Sequence, residues 1–297
     1  MRALVVLNAR SGSGCSPERV EQLRTLFAQA GIVAELVLAH DGDEIFAAVD
    51  RARDQGIRLV VAGGGDGTQS AVAARLAGTD QVLGVLPLGT LNHFAKDLGI
   101  PLQEAEAIRT LAQGREVQVD VGEVNGRVFI NNSSLGLYPE IVRVRELQQL
   151  HLGKSKWRAL ASAIVRVTAG RPGMAVKVDA DGAQQLRRTP FVFIGNNRYT
   201  MEGLAIGART SLQEGELALY MGRRRGRLAL LAMAWRALTK RLSQDADFEM
   251  VTGPAFVIST TEPSLRIAAD GEVYRMQTPL HYRVRPRALR VLVPADG

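Results

Sequence analysis

The first 120 residues alternate short apolar runs with stretches of helical spacing, and this alternation restricts the possible folds most strongly. The apolar runs are rich in Val and Leu, and the first three are each followed by a segment with helical spacing. Strands separated by helices of about 10–15 residues are typical of βαβ units on a parallel sheet. The predicted strands are Ala3–Asn8, Val33–Leu38, Arg58–Ala62 and Val82–Pro87, and the predicted helices are Pro17–Ala30, Asp43–Gln55 and Thr68–Ala77.

After Asp120 the pattern changes to mainly antiparallel β structure. Asn125-Gly126 separates two short runs, and this dipeptide favours a two-residue hairpin turn because both positions accept a positive φ. We therefore predict a β-sandwich or curved sheet, interrupted by helical insertions near residues 143–168 and 227–243. The strands predicted here are Met174–Asp179, Phe191–Ile194, Leu217–Met221, Ala255–Ser259, Leu265–Ala268, Glu272–Met276 and Ala288–Val293.

Two domains are expected, an α/β domain over residues 1–120 and a β-rich domain over residues 121–287. The strand near 288–293 can return to either domain. Residues 1–120 carry 11 Lys or Arg against 15 Asp or Glu, whereas residues 121–297 carry 26 against 15. A basic second half indicates an anionic partner, and nucleic acid, an anionic membrane and phosphate-bearing substrates all qualify.

Composition removes several classes of protein. No run approaches the roughly 18 apolar residues of a membrane span, and the N-terminus lacks the apolar core of a signal peptide. A single cysteine, Cys15, excludes an intrachain disulfide and a multi-cysteine zinc site. Nucleic acid is disfavoured because aromatic residues make up only 5% of the chain and no nucleic-acid-binding motif is present. A cytoplasmic protein, monomeric or homodimeric, is expected.

The strongest local motif is GGGDGT at residues 63–68, which follows a predicted strand and opens a predicted helix. Glycine lets the backbone approach a polyphosphate closely, and a helix N-terminus offers amide groups to anionic oxygens. The motif is neither a Walker A loop nor a dinucleotide fingerprint, since it lacks the Lys-Ser/Thr pair of the first and the last glycine of the second. A plain strand–helix turn is the alternative.

Two further polar loops follow predicted strands of the same sheet, NARSGSG at residues 8–14 and PLGTLN at residues 87–92. The carboxyl ends of parallel strands lie on one side of a sheet, where ligands bind. The three loops together therefore indicate a nucleotide site. The residues expected to bind the nucleotide are Asn8, Ser11, Gly12, Gly64, Gly65, Asp66, Gly67, Thr68, Thr90 and Asn92.

This ordered set of loops resembles the catalytic domain of diacylglycerol kinases and sphingosine kinases, and most of all the soluble bacterial lipid kinases of that group. The resemblance extends through residues 120–122 and 131–136 to Asp270-Gly271-Glu272, and so spans nearly the whole chain. It implies an α/β nucleotide-binding domain of the NAD kinase and phosphofructokinase type, followed by a β-sandwich domain. It also implies ATP and Mg²⁺ as cofactors and a lipid hydroxyl as phosphate acceptor.

The resemblance places Glu272 as the proton acceptor, with Asp270 beside it as a second catalytic carboxylate. From the residues alone, a solvent-exposed Asp-Gly hairpin is the simpler interpretation. Phosphoryl transfer nevertheless needs a group that can accept the proton of the attacking hydroxyl.

The family's Mg²⁺ site falls on residues 211–217, where Glu214 takes the position of the family's aspartate. Carbonyl oxygens of Ser211 and Glu216 complete the implied set of ligands. His93 is a second departure, because family members commonly have Asp at that position.

Two basic segments indicate contact with an anionic membrane. Residues 223–241 place an arginine cluster and further cations around an apolar stretch that contains Trp235, and residues 154–158 form a similar, shorter group. An ordinary amphipathic helix with a solvated basic face is the alternative.

The function expected from these features is ATP-dependent phosphorylation of a diacylglycerol-like lipid at a membrane surface, by a cytoplasmic protein that associates with the membrane peripherally. A small-molecule kinase such as an NAD kinase, and a nucleotide or membrane sensor without transferase activity, are the alternatives. The sequence does not distinguish among the lipids that present a primary hydroxyl.

Overall fold

A computed structural model describes residues 1–9, 16–136, 174–180, 182–189, 191–202, 205–222 and 248–295. The two predicted helical insertions, the two basic segments, and Ser11 and Gly12 of the first loop lie outside these residues. The chain divides into two compact units. Unit 1 comprises Met1–Val121, Ser211–Glu214 and Arg285–Gly297, and unit 2 comprises Gly122–Thr210 and Gly215–Val284.

Unit 1 is an α/β unit built on a parallel sheet. Its strands are β1 (Arg2–Asn8), β2 (Val33–Ala39), β3 (Leu59–Gly64), β4 (Val82–Pro87) and the last part of β18 (Leu280–Val293), and β5 (Arg115–Val124) begins in this unit. The parallel strands follow the order β2-β1-β3-β4-β18. The helices are α1 (Pro17–Gln29), α2 (Gly42–Asp54), α3 (Asp66–Leu76), α4 (His93–Asp97) and α5 (Glu104–Gln113).

Burial and capping explain why these segments fold as they do. Every residue of β3 and β4 is buried, as expected for parallel strands covered by helices on both faces. The side chain of Ser16 accepts a hydrogen bond from the Arg19 amide at the start of α1, and Asp41 does the same for Glu44 at the start of α2. Such caps satisfy amide groups that have no partner within the helix.

Unit 2 is a β-sandwich of antiparallel strands. One sheet has the order β14-β13-β10-β7-β16-β17, and the other contains the first part of β18 followed by β15, β8 and β9. The strands are β6 (Arg127–Phe129), β7 (Asn132–Gly136), β8 (Met174–Ala180), β9 (Ala183–Thr189), β10 (Phe191–Asn196), β11 (Tyr199–Glu202), β12 (Ala205–Arg209), β13 (Leu217–Gly222), β14 (Phe248–Gly253), β15 (Ala255–Thr260), β16 (Ser264–Ala269) and β17 (Glu272–Gln277).

The sandwich core explains the alternating sequence pattern of this half. Val192 and Ile194 of the first sheet and Phe256 and Ile258 of the second pack in one buried cluster. The intervening aromatic residues of β10, Phe191 and Phe193, belong to a separate cluster. The predicted class, a parallel α/β sheet followed by an antiparallel sandwich, is confirmed.

Candidate functional site

The glycine motif lies where β3 ends and α3 begins. Gly65 is the N-cap of α3. Because glycine has no side chain, no side chain accepts a hydrogen bond from the first amides of this helix. A Cβ atom built on Gly89 would lie 2.3 Å from the Gly65 Cα and 2.9 Å from Oδ1 of Asn92. The loop after β3 and the loop after β4 therefore pack backbone against backbone, and this contact requires glycine at position 89.

The N-terminus of α3 is open for a ligand. Gly67 is exposed, and a Cβ built on it would meet no atom within 4 Å. The first amide groups of a helix have no acceptor within the helix, and the helix dipole makes this end attractive to anions. The N-terminus of α3 can therefore bind phosphate oxygens through its backbone amide groups.

Asn8 and Thr68 contact each other, which connects the end of β1 to the first turn of α3. The Asn8 Nδ2 donates to Oγ1 of Thr68 at 3.0 Å, and Thr68 is buried. This bond fixes the end of β1 beside the open helix terminus.

Asp66 and Asn92 hold the loop between β4 and α4. The Phe94 amide donates to Oδ1 of Asp66 at 3.3 Å, which supports the start of α4. Asn92 has a positive φ of 49°, and its side chain accepts from the Gly89 amide at 3.1 Å and donates to the Gly89 carbonyl at 2.7 Å. Both residues shape the loop, whereas Thr90 is exposed on it; His93, the first residue of α4, is exposed as well.

In unit 2, Asp270 organises the turn that carries Glu272. Ala269 pairs with Glu272 across a two-residue hairpin, and Asp270 and Gly271 have φ values of 47° and 86°. The Asp270 carboxylate accepts three backbone hydrogen bonds, from Ile130 at 2.7 Å, Asn131 at 2.8 Å and Asn132 at 3.0 Å. A carboxylate engaged in this way fixes the backbone around it, so the geometry supports a structural task for Asp270.

Glu272 is the first residue of β17 and is exposed to solvent. Its Oε2 accepts a hydrogen bond from the Tyr274 hydroxyl two residues further on. The guanidinium carbon of Arg127 lies 3.7 Å from the centroid of the Tyr274 ring. Burial, followed by the contact with Glu272, raises the pKa of Tyr274 to about 12, so this hydroxyl is a protonated donor at neutral pH.

A buried cation supports the segment that binds Asp270. The Arg209 guanidinium is buried and donates to the Ile130 carbonyl at 2.6 Å and to Oδ1 of Asn131 at 2.9 Å. The side chain of Asn196 donates to the same carbonyl at 3.0 Å. These bonds satisfy polar groups that would be costly to bury alone.

The residues predicted to bind Mg²⁺ differ in their surroundings. Glu214 is exposed, and Oγ of Ser211 accepts from the Gln213 amide at 3.1 Å. The Glu216 carboxylate is paired with Arg198, and the Glu216 carbonyl accepts from the Asn197 amide at 3.0 Å. Within the described ranges there is no group of three or more His, Cys, Asp or Glu side chains that could hold a metal ion. Any metal site here would thus depend on carbonyl and ligand oxygens as well as carboxylates.

None of the helices among the described residues is long and apolar enough to cross a membrane.

Sequence reasoning did not single out Tyr274, Arg127, Arg209 or Asn196 of these networks. The two-residue period of a strand places Tyr274 on the face of Glu272, and this signal was available in the sequence. Arg127 and Arg209 carried no such signal, because their partners are distant along the chain.

Two family models together match most of the chain. Residues 2–124 match the model described as the diacylglycerol kinase catalytic domain. Residues 138–293, more than half of the chain, match the model described as the YegS C-terminal NAD kinase beta sandwich-like domain.

Curated relatives are similar to this chain over nearly their whole length. The "Probable lipid kinase YegS-like" of Klebsiella pneumoniae (strain 342) is 24% identical over 299 residues, with 99% of this chain and 96% of the relative covered. The "Probable lipid kinase YegS" of Salmonella arizonae is 25% identical over 301 residues, with the same coverage.

A solved structure shows the same fold. The crystal structure of a diacylglycerol kinase from Bacillus anthracis str. Sterne has a TM-score of 0.71 at 19% identity and covers 99% of this chain and 97% of its own. With the glycine loops in unit 1, the sandwich in unit 2 and both family models in chain order, the chain belongs to the family of diacylglycerol kinase catalytic domains with a YegS-type C-terminal domain.

Proposed function

We propose that this protein is an ATP-dependent lipid kinase that transfers the γ-phosphoryl group to the hydroxyl of a diacylglycerol-like lipid. The observation that carries the proposal is the open N-terminus of α3, whose preceding loop packs so closely against the next loop that position 89 must be glycine. Both relatives are named as probable lipid kinases, and these names favour a lipid as the phosphate acceptor.

In unit 1, backbone amides at the start of α3 bind phosphate oxygens, and the Asn8–Thr68 contact holds the end of β1 beside them. Asp66 and Asn92 keep the next loop in place, which leaves the exposed Thr90 and Gly67 for the nucleotide. Ser11 and Gly12 are proposed to add contacts from the first loop.

In unit 2, Glu272 accepts the proton of the lipid hydroxyl. The hydroxyl oxygen attacks the γ-phosphorus, the bond to the β–γ bridging oxygen breaks, and ADP leaves. Glu272 then releases the proton to water. An exposed carboxylate at the start of a strand suits this task, because both the substrate and solvent can reach it.

Bound Mg²⁺ neutralises charge on the phosphates of ATP. The residues present fit such an ion in part: Glu214 offers an exposed carboxylate, and Ser211 and Glu216 offer carbonyl oxygens. Mg²⁺ is usually bound by one or two carboxylates together with water and phosphate oxygens, so one protein carboxylate is compatible with it.

The acceptor lipid is proposed to be phosphorylated at an anionic membrane surface. The basic residues 223–241 and 154–158 would attract such a surface, and the protein would bind it peripherally as a cytoplasmic monomer or homodimer. No nucleic acid is proposed as a partner.

The test is transfer of label from γ-labelled ATP, with Mg²⁺, to a panel of lipids in anionic vesicles, with NAD as a further acceptor. We expect label on one lipid class and at least a hundredfold loss of transfer in the Glu272→Gln variant. Glu262→Gln is the matched control, because Glu262 is an exposed glutamate of the same unit. Label on NAD alone would refute the lipid, and full activity of Glu272→Gln would refute the base.

A further inference from the structure

Tyr274 and Glu272 form a pair on one face of an edge strand. They are two residues apart in β17, which is the last strand of its sheet, so their side chains point to the same side. The Tyr274 hydroxyl donates to Oε2 of Glu272. Among the described residues, no donor contacts the other carboxylate oxygen.

The Tyr274 ring is held in place from within unit 2. It packs against the sandwich core, and the Arg127 guanidinium lies over it with its carbon 3.7 Å from the ring centroid. The backbone of Arg127 is held by the Asn125-Gly126 hairpin, across which Arg127 pairs with Val124. A cation over an aromatic face is attractive, so this contact restricts the rotation of the ring.

The hydrogen bond from Tyr274 restricts the conformations of the exposed Glu272 side chain. Without a partner, a glutamate at the start of an edge strand samples several rotamers, and ordering it costs free energy. A donor on a fixed ring selects one rotamer and occupies one oxygen. The other oxygen is left to face a substrate, and small errors in the position of a base are costly.

We propose that Tyr274 is a positioning residue for the Glu272 carboxylate, and that Arg127 acts through Tyr274 by orienting its ring. This inference rests on the proposed role of Glu272 as the base. Tyr274 itself takes no proton, because burial keeps its pKa high and the hydroxyl stays protonated throughout the neutral range.

The experiment compares the Tyr274→Phe variant with the unmodified protein in the lipid phosphorylation assay. Phe keeps the ring, its packing and its contact with Arg127, and removes only the hydroxyl. We expect kcat to fall about tenfold while the KM values for ATP and lipid stay within about twofold, because the interaction acts on the orientation of the base. The thermal unfolding midpoint should not change. Arg275→Gln is the matched control, since Arg275 lies on the same strand with the opposite orientation and contacts Ser264.

A double-mutant cycle separates orientation from general stability. Arg127→Met is expected to lower kcat about threefold in the unmodified protein and to have no further effect in Tyr274→Phe, because the hydroxyl that it orients is then absent. A structural role of Arg127 would lower kcat equally in both backgrounds and would overturn its part of the proposal.

Different results would overturn the positioning role of Tyr274 and the role of Glu272 as the base. If Glu272→Gln is inactive and Tyr274→Phe keeps the full kcat, Tyr274 does not position the base and only the inference is overturned. A change confined to KM would also overturn it. If Glu272→Gln is fully active, the proposed base is wrong, and the inference falls with it.

Discussion

Replacing Gly89 with Ala tests whether the loops after β3 and β4 need contact between their backbones. The added Cβ would lie 2.3 Å from the Gly65 Cα, 2.9 Å from Oδ1 of Asn92 and 3.1 Å from the Gly65 nitrogen. Carbon atoms in contact prefer about 3.5–4.0 Å, so the two loops must separate by about 1 Å. None of the three atoms is the free end of a flexible side chain, because Asn92 is held by two hydrogen bonds to Gly89.

We expect Gly89→Ala to lower the free energy of unfolding by about 1–3 kcal/mol, the usual cost of overpacking. At about 2–4 °C per kcal/mol, the thermal midpoint should fall by about 2–12 °C in differential scanning calorimetry. The displaced loop should also weaken ATP binding at least tenfold in isothermal titration calorimetry.

Two other glycines are matched controls. Gly42 is the first residue of α2 and Gly67 lies in the first turn of α3, and a Cβ on either would meet no atom within 4 Å. Neither alanine variant should lower the unfolding midpoint. Gly67→Ala should nevertheless weaken ATP binding, because its methyl group covers the open N-terminus of α3. Gly42→Ala should leave ATP binding unchanged, because Gly42 lies in α2. An unchanged midpoint and unchanged ATP affinity for Gly89→Ala would refute the reasoning.

Further predictions concern unit 2. Asp270→Asn should lower the free energy of unfolding by about 2 kcal/mol in urea, since it weakens hydrogen bonds from three backbone amides to a charged acceptor; an unchanged urea midpoint would contradict this. Arg209→Met should cost about 3 kcal/mol in the same measurement, because the buried amide oxygen of Asn131 loses its donor and the Ile130 carbonyl keeps only the bond from Asn196; a loss below about 0.5 kcal/mol would count against it. The pKa of Tyr274 is raised to about 12 in the folded state, so losing this proton is harder in the folded protein than in the unfolded one; stability is unaffected by this group below about pH 10 and falls as the pH rises from there to about 12. Tyr274→Phe should therefore lose less stability than the unmodified protein over this interval, and parallel unfolding curves would disprove the assignment.

Much of the fold could be predicted because the local signals agree with the tertiary structure. Ser16 and Pro17 predict the start of α1, and the helix begins at Pro17 with Ser16 as its cap. The Asn125-Gly126 turn is found with φ values of 45° and 85°. The helix α5 was not predicted, although Ala107, Ile108 and Leu111 bury one of its faces. The predicted start of α3 was two residues late, because its N-cap is a glycine without a capping side chain.

The candidate site was predicted as a set of loops, but the task of each side chain depended on tertiary contacts. Asp66, Asn92 and Asp270 were predicted as ligands or catalytic groups, and all three accept backbone hydrogen bonds that shape loops. Motif spacing identifies where a polar residue lies, and it does not reveal which backbone amides meet it. Arg127 and Tyr274 are separated by nearly half of the chain, so no local pattern could connect them.

The division of β18 has a consequence for synthesis of the protein. Its last part pairs in parallel with β4, at Arg290 with Val82 and at Val291 with Leu83, although the rest of unit 1 is made almost entirely from the first 121 residues. A nascent chain that has emerged only as far as the start of β18 therefore exposes the hydrogen-bonding edge of β4. Exposed edges readily pair with strands of other chains. The sheet of unit 1 can therefore be completed only after residues 285–293 of β18 have left the ribosome. A fragment cut at the end of β5 would keep every glycine loop and lack the strand that completes its sheet.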